Sequence, residues 1–116
     1  MPQRIETQEA IIADNGTLSN AVGLGDADVL GLDIPGSMVS GTFKFLASLT
    51  FAGTYRYVKA KDLTDLTISA TTGNLWVSAD VLSPLRGCPF VKIESGASQT
   101  GGPHTLTFVL KRFGFR

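Results

Sequence analysis

The stretch from residue 42 to residue 51, TFKFLASLTF, constrains the fold most strongly because its apolar side chains recur at every second position. A period of two residues is typical of a β-strand, whose alternate side chains lie on opposite faces. The predicted inward face carries Phe43, Phe45, Ala47, Leu49 and Phe51. One sheet cannot bury its own apolar face, so a second layer of apolar side chains must cover this one. The stretch therefore predicts the central strand of a two-layer β-protein.

The same alternation recurs along the rest of the chain, between turn-forming pairs such as Asn15-Gly16 and Pro35-Gly36. Strands are predicted for residues 17–22, 29–34, 55–58, 66–70, 75–79, 90–94 and 105–112. The side chains predicted to face inward are Leu30, Leu32, Ile34, Leu66, Ile68, Ala70, Leu75, Val77, Ala79, Leu106, Phe108 and Leu110. About eight short strands at this spacing predict an all-β fold, a single-domain antiparallel β-sandwich of jelly-roll-like architecture.

Two segments are expected to depart from this strand pattern. Residues 80–87 are the one place where a helical turn is expected, with Asp80 as its cap. Residues 95–103, SGASQTGGP, are rich in glycine and small polar side chains, which predicts the most flexible loop of the chain.

The chain divides into an N-terminal arm or edge strand (residues 1–13), the β-sandwich (residues 14–112) and a C-terminal tail (residues 113–116). The two phenylalanines of the tail lie at odd positions, whereas the inward residues of the last strand lie at even ones. Either a β-bulge corrects this register, or the two rings dock on another molecule. The residues predicted to contact neighbouring subunits are Ile5, Ile11, Phe113, Phe115 and Arg116.

Charge and composition exclude several classes of protein. Net charge is zero, so the basic excess of a general nucleic-acid binder is absent. Six acids and one base in residues 1–33 give −5, and nine bases and four acids in residues 34–116 give +5. If folding keeps these charges apart, they favour head-to-tail contact between copies. The N-terminus lacks a signal-peptide pattern and no apolar run approaches the length of a membrane span, which predicts synthesis in a cytoplasm and no membrane partner.

The residue types that carry chemistry are few, and they do not form a recognisable pattern. Cys88 is the single cysteine, so an intrachain disulfide is excluded, and we interpret it as a small buried apolar residue. His104 is the single histidine and is interpreted as a surface or strand-edge residue. Loop solvation is favoured over calcium binding for Asp14, Asp26, Asp28 and Asp33. We predict no catalytic residue, no metal site and no cofactor, and hence a protein that is not an enzyme.

Three aromatic side chains outside the predicted core leave two interpretations open. Tyr55, Tyr57 and Trp76 lie in strand segments, where aromatic side chains commonly pack across strands. The alternative is an aromatic platform on which a glycan stacks. Cross-strand packing is the favoured interpretation.

Four segments, read together, resemble a known family. They are residues 15–25 (NGTLSNAVGLG), 29–35 (VLGLDIP), the start of the central strand at 41–43 (GTF), and 85–96 (LRGCPFVKIESG), the last followed by Thr105-Leu106-Thr107. These segments resemble short β-sandwich structural proteins encoded near the head and tail genes of tailed bacteriophages. The resemblance implies a structural role in the virion, such as a capsid decoration protein, a spike base, or a neck or tail component.

The function expected from this resemblance is that of a capsid decoration or cement protein, which stabilises the shell through contacts between subunits. The expected partners are other copies of the chain, in a homo-oligomer such as a trimer, and the major capsid protein or other virion proteins. Its expected location is the virion, after synthesis in the cytoplasm of a host bacterium. The alternative function is a carbohydrate-binding module of a tail or head fibre or spike.

Overall fold

The computed structural model describes residues 3–36, 41–70 and 75–113, which form ten β-strands and one turn of 3-10 helix. The strands are β1 (Gln3–Ile12), β2 (Gly16–Leu18), β3 (Val22–Gly23), β4 (Asp28–Ile34), β5 (Gly41–Ser48), β6 (Arg56–Tyr57), β7 (Thr67–Ala70), β8 (Leu75–Ser78), β9 (Phe90–Gln99) and β10 (His104–Phe113). The 3-10 helix covers Ser83–Leu85. None of the described residues lies in a helix that is long and apolar enough to span a membrane.

The strands form two antiparallel sheets that pack face to face. Sheet A has the order β1-β10-β4-β8, and sheet B has the order β2-β9-β5-β6. Strand β3 also pairs with β9 and β7 also pairs with β5, so β2 with β3, and β6 with β7, act as two interrupted strands. Counted this way, each sheet has four strand positions, and the order of the strands in the two sheets is that of a jelly roll. The predicted all-β sandwich is confirmed.

The core lies between the two sheets and is aromatic at its centre. Phe43 and Phe45 of β5 face Phe108 of β10, and all three side chains are buried. Leu106 and Leu110 are also fully buried, as predicted from the alternation in the last strand. The buried residues of β9 are Val91, Ile93, Ser95 and Gln99, of which the serine and the glutamine are polar.

The central strand is shorter than its sequence pattern predicts. Strand β5 ends at Ser48, whose hydroxyl accepts a hydrogen bond from the Thr50 N–H and donates one to the Thr50 carbonyl. This local turn directs the chain away from the sheet before the apolar alternation ends. Leu49 and Phe51 are consequently 84% and 65% exposed, so the prediction that they belong to the core is wrong.

A β-bulge in β4 changes which side chains reach the core. In the pairing of β10 with β4, Val109 lies opposite Gly31 and Leu110 lies opposite Val29, so Leu30 is the additional residue. Paired residues share a face of the sheet, so Val29 turns toward the buried Leu110. Val29 packs against the core in the position predicted for Leu30.

Three other local predictions are wrong. Strand β9 continues through Gln99, so residues 95–99 are ordered sheet and not a flexible loop. Gln99 is fully buried, and its side-chain amide donates a hydrogen bond to the Ser95 hydroxyl. The helical turn exists, but it is a 3-10 turn whose N-cap is Leu82 without a side-chain cap, so Asp80 does not cap it. Strand β8 ends at Ser78, which leaves Ala79 exposed.

Candidate interaction surfaces

The exposed edge of sheet A is formed by β1, which pairs with β10 along its whole length. The register runs without interruption from Gln3 opposite Phe113 to Ile12 opposite His104. Even-numbered residues of β1 face the core side, where Ala10 and Ile12 are fully buried. Odd-numbered residues face outward, and Ile5 is 60% exposed and Ile11 is 41% exposed. The outer side of the strand therefore carries two exposed isoleucines among polar residues.

The Asn20 side chain covers one half of this edge. Its Oδ1 accepts a hydrogen bond from the Ile11 N–H at 2.6 Å, and its Nδ2 donates to the Glu9 carbonyl at 3.3 Å. The Asn20 backbone N–H donates to the Ile11 carbonyl at 3.4 Å. Both backbone groups of Ile11 thus point away from β10. By the two-residue period of a strand, the backbone groups of Ile5 and Thr7 point the same way.

A cluster around Arg112 joins the two sheets near the start of β1. The Arg112 guanidinium donates to the Glu6 carboxylate, to the Leu24 carbonyl at 3.0 Å and to the Gly23 carbonyl at 3.3 Å. The hydrogen bond from Arg112 lowers the pKa of Glu6 below its usual value. Arg4 lies 3.4 Å from the other oxygen of the same carboxylate and is largely exposed. This cluster fixes β1 and β10 to the loop that follows β3.

Several exposed apolar side chains gather at the same end of the sandwich, which we call the terminal end. We define it as the loops of residues 24–27, 49–55 and 79–89, with the first residues of β1 and the last of β10. Ser48 lies opposite Phe90, and the Leu24 N–H donates to the Pro89 carbonyl, so these loops are neighbours. The exposed apolar residues there are Ile5, Leu49, Phe51 and Val81. Phe51 lies edge-on to Phe90, with 6.0 Å between ring centroids.

A groove runs along the terminal end beside Leu49. It lies between the loop after β5 and the segment before β9, and it is lined by Ala47, Ser48, Leu49, Thr50, Gly53, Thr54, Arg56, Gly87, Cys88 and Pro89. Cys88 is partly buried, and burial raises the pKa of its thiol. Its sulfur lies 3.7 Å from the Pro84 carbonyl, so it packs as a small apolar residue beside the core.

The three predicted platform aromatics do not lie on one surface. Tyr57 lies opposite Leu46 on the outer face of sheet B, whereas Trp76 lies opposite Asp33 on the outer face of sheet A. The Lys92 ammonium lies 4.4 Å from the centroid of the Tyr55 ring. The aromatic platform is thus divided between the two outer faces of the sandwich.

The Tyr57 side chain is part of a network of charged groups. Its hydroxyl donates to Glu94 at 2.8 Å, and this hydrogen bond raises the pKa of Tyr57. Lys44 lies 5.2 Å from the centroid of the same ring and 3.1 Å from Asp65. Hydrogen bonds from Lys59 and then Lys44 lower the pKa of Asp65. These contacts with neighbouring strands explain the position of the Tyr57 side chain by packing and hydrogen bonding.

Trp76 is an exposed aromatic side chain on the outer face of sheet A. The residue is 59% exposed, and its indole ring lies over Gly31 of the neighbouring strand. A Cβ atom added at Gly31 would lie 2.2 Å from Cζ2 of the indole. The absence of a side chain at Gly31 therefore leaves space for the ring over this strand.

The remaining predicted site residues are placed as follows. Phe113 is the last residue of β10, and its backbone pairs with Gln3. Phe115 and Arg116 lie outside the described residues. His104 is buried and not a surface residue, with Nε2 2.7 Å from the Thr100 carbonyl, because even positions of β10 face the core.

The four aspartates considered for calcium lie in separate surroundings. Asp14 accepts a hydrogen bond from the Gly102 N–H, Asp28 lies 3.5 Å from Arg86, and Asp33 is exposed on β4. Asp26 is almost fully exposed, 3.8 Å from Arg112. Among the described residues, no group of three or more His, Cys, Asp or Glu side chains is placed to hold a metal ion. Asp26 and Asp28 of the acidic N-terminal third thus lie beside basic residues of the C-terminal half, so folding partly interleaves the two charge segments.

Asn20, Arg112 and Gln99 were missed by sequence reasoning. The Asn20 side chain bonds residues 9 and 11 positions away along the chain, and the Arg112 side chain bonds residues 88 to 106 positions away. The Gln99 side chain bonds residues 2 and 4 positions away. The first two contacts depend on which strands become neighbours, and no local pattern reports that. An asparagine five residues after a turn or an arginine near the chain end carries no signal of its own.

The fold resembles one solved structure of a prophage protein. The crystal structure of the SPBc2 prophage-derived protein YomS superposes with a TM-score of 0.61, covering 97% of this chain and 96% of that chain. The two sequences are 17% identical, so the likeness establishes a shared fold. No protein-family model matches the chain, and no curated protein sequence matches it significantly.

Proposed function

We propose that the protein is a structural component of a bacteriophage virion, and more narrowly a capsid decoration or cement protein. The observation that supports this proposal is the fold, which is shared over nearly the full length of both chains with a prophage-derived protein. The proposed role is not enzymatic. Its partners are other copies of the chain and the major capsid protein or another virion protein, and its place is the virion after synthesis in a host cytoplasm.

The proposed contact with the shell is the terminal end. Leu49 is 84% exposed and Phe51 is 65% exposed, and both project from a loop fixed by hydrogen bonds of Ser48. Exposed large apolar residues gathered on one surface, beside a groove, are typical of protein interaction sites. Burying such side chains is worth roughly 25 cal/mol per Å2 of apolar surface, and a shell repeats the contact many times.

Co-sedimentation with purified capsids of the phage that carries this sequence tests the proposal. We expect the protein to pellet with capsids and to saturate at a copy number proportional to the number of capsomers. A single ring of copies would place it at the neck, spike or tail and would contradict the decoration role. Failure to pellet with capsids, tails and whole virions alike would contradict a virion role.

A double variant and a control variant show whether the terminal end makes the contact. The double variant Leu49→Asp with Phe51→Asp is expected to weaken capsid binding by roughly tenfold or more, because charges would enter an apolar contact. Leu63→Asp is the control, because Leu63 is 77% exposed and lies in a separate loop. If the double variant and Leu63→Asp bind capsids equally well, another surface contacts the shell.

The second candidate function is carbohydrate binding, and one observation favours it. Trp76 lies over Gly31 with more than half of its surface exposed, so its indole ring is accessible for stacking against a sugar ring. Trp76 is the single tryptophan, so quenching of intrinsic fluorescence by glycans reports on it directly. Gly31→Ala should displace the ring and abolish quenching, whereas Tyr57→Phe on the other sheet should leave it unchanged. No quenching by a broad panel of glycans would reject this candidate.

A further inference from the structure

Within the described residues, the first half of β1 has a short row of outward backbone groups without a hydrogen-bond partner. The odd-numbered residues direct their N–H and C=O groups away from β10, and Asn20 occupies those of Ile11 and the Glu9 carbonyl. Among the described residues, no hydrogen bond reaches the outward backbone groups of Ile5 or Thr7. An unpaired strand edge is a ready template for another strand.

We propose that this edge pairs with the same edge of a second copy of the chain, antiparallel and centred on Ile5. A two-fold axis through Ile5 would join two copies of sheet A into one continuous eight-stranded sheet. This inference goes beyond the proposed function, because it names one subunit contact and its register. The contact is a two-fold dimer and not the trimer expected from the sequence.

The choice of a second copy rests on the side chains that this register brings together. In an antiparallel pair centred on Ile5, Arg4 lies opposite Glu6 of the second copy, and the reverse pair forms as well. The two Ile5 side chains, each 60% exposed in the single chain, lie directly opposite each other. Zero net charge leaves no long-range repulsion between the copies. Opposite charges and an apolar pair thus coincide in one register.

The neighbouring registers bring together less favourable side chains. Pairing centred on Glu6 would place two glutamates opposite each other, and like charges in that position destabilise paired strands. Pairing centred on Thr7 would place Ile5 opposite Glu9. It would also require the backbone groups of Ile11, which Asn20 already occupies. The position of Asn20 therefore limits the free edge to the residues that flank Ile5.

Cysteine cross-linking measures the register directly. In a Cys88→Ser background, which removes the native thiol, Ile5→Cys would place two thiols across the two-fold axis within disulfide distance. We expect mild oxidation to give a disulfide-linked dimer for Ile5→Cys and not for Thr7→Cys or Ile11→Cys. A dimer from Thr7→Cys in place of Ile5→Cys would overturn the register, and no cross-link from any of the three would overturn the contact.

Sedimentation velocity over a concentration series measures the strength of the contact. Ile5→Lys would place two like charges opposite each other and should weaken dimerisation by roughly tenfold or more. Ile11→Lys is the matched control, on the same outer face of the same strand but beside the part covered by Asn20. A monomeric wild-type protein at every concentration, or equal effects of the two variants, would overturn the proposal. Circular dichroism melts establish that both variants are folded.

Different experimental outcomes would contradict the strand contact proposed here and the capsid contact proposed above. Loss of dimers in Ile5→Lys with capsid binding retained through Leu49 and Phe51 would support the strand contact independently of the shell contact. If Ile5→Lys stays as dimeric as wild type and loses capsid binding, the edge of β1 pairs with a capsid strand and not with a second copy. A dimer that binds no virion component would leave the strand contact supported and contradict the proposed function.

Discussion

The two ends of the sandwich, as far as the structure describes them, differ in the hydrogen bonds of their polar groups and in the exposure of their apolar side chains. At the end around the turn of residues 13–16, side chains and backbone close on each other. The Asn15 N–H donates to the Gln99 carbonyl, Asp14 accepts from Gly102, and the Ser98 hydroxyl donates to the Asn15 carbonyl. At the terminal end, Leu49 and Phe51 are exposed, and no hydrogen bond from a described residue reaches the outward backbone groups of Ile5 or Thr7. In the part of the chain that the structure describes, one end is thus held by its own hydrogen bonds, whereas the other exposes apolar side chains and part of a strand edge.

This difference lies within a single strand. Ile12 of β1 is fully buried opposite His104, whereas Ile5 of the same strand is 60% exposed opposite Lys111. The two isoleucines have the same intrinsic strand preference, so their different roles come from parity and position. Side chains of odd and even residues of β1 face opposite sides of sheet A.

The largest expected effect compares these two isoleucines. Ile12→Ala should lower the free energy of unfolding by about 2–4 kcal/mol, because it removes a fully buried side chain and leaves a cavity. Ile5→Ala should change it by less than about 0.5 kcal/mol, because the side chain is mostly in solvent. Urea unfolding at a concentration where the protein is monomeric measures both. Similar losses would show that the two halves of β1 are equally important to the isolated fold.

A smaller effect is expected at Asn20, where the covered and free parts of the edge meet. Asn20→Ala should lower the free energy of unfolding by about 1 kcal/mol, because the Ile11 N–H loses its acceptor at a partly solvated site. It should also lengthen the free edge and increase self-association through registers centred beyond Ile5.

Asn20→Asp is the matched control for this prediction. It keeps an oxygen for the Ile11 N–H and removes the donor to the Glu9 carbonyl. Thermal melts measure the loss of stability, and sedimentation velocity measures the change in self-association. Unchanged association of Asn20→Ala would show that the asparagine does not limit the edge.

The smallest effect is expected from the carboxylate at the start of β1. The hydrogen bond from Arg112 lowers the pKa of Glu6. The Glu6 carboxylate is therefore more stable in the folded protein than in the unfolded chain, and its ionisation stabilises the fold. This contribution is present above the ordinary carboxyl pKa of 4.5 and is lost as the pH falls through the lower folded pKa. Wild type should therefore exceed Glu6→Gln in stability at neutral pH, and the difference should shrink in acid.

Asp65→Asn is a useful control for this pH dependence. Hydrogen bonds from Lys59 and Lys44 lower the pKa of Asp65 as well, so it also contributes to acid sensitivity. Asp65 lies between β6 and β7, beside Lys44 of sheet B and away from the edge of β1, so Asp65→Asn should not alter dimerisation. Urea unfolding at neutral and acidic pH measures both variants. A difference between wild type and Glu6→Gln that does not change with pH would contradict the linkage.

Much of the fold could be predicted from local pattern, and much of the candidate surface could not. The inward faces of β5 and β10 were predicted at Phe43, Phe45 and Phe108, because a strand must place alternate residues on one face. The predicted contacts at Ile5 and Ile11 do lie on an outer face, while the aromatic platform is split between two sheets. Sequence parity gives the face of a strand but not which strand lies beside it.

The alternating pattern of the amino-acid sequence is enough to predict a protein built of strands in two layers, because a period of two residues is a property of the local backbone. The pattern does not predict that Leu49 and Phe51 leave the core, that Val29 replaces Leu30, or that Gln99 is buried. Those outcomes depend on a serine turn, a bulge and hydrogen bonds formed after the strands have paired. The extent of the open edge beside Ile5 has the same origin. The turn after β1 brings Asn20 back to the strand, where its side chain covers the backbone N–H of Ile11 and not the groups beside Ile5.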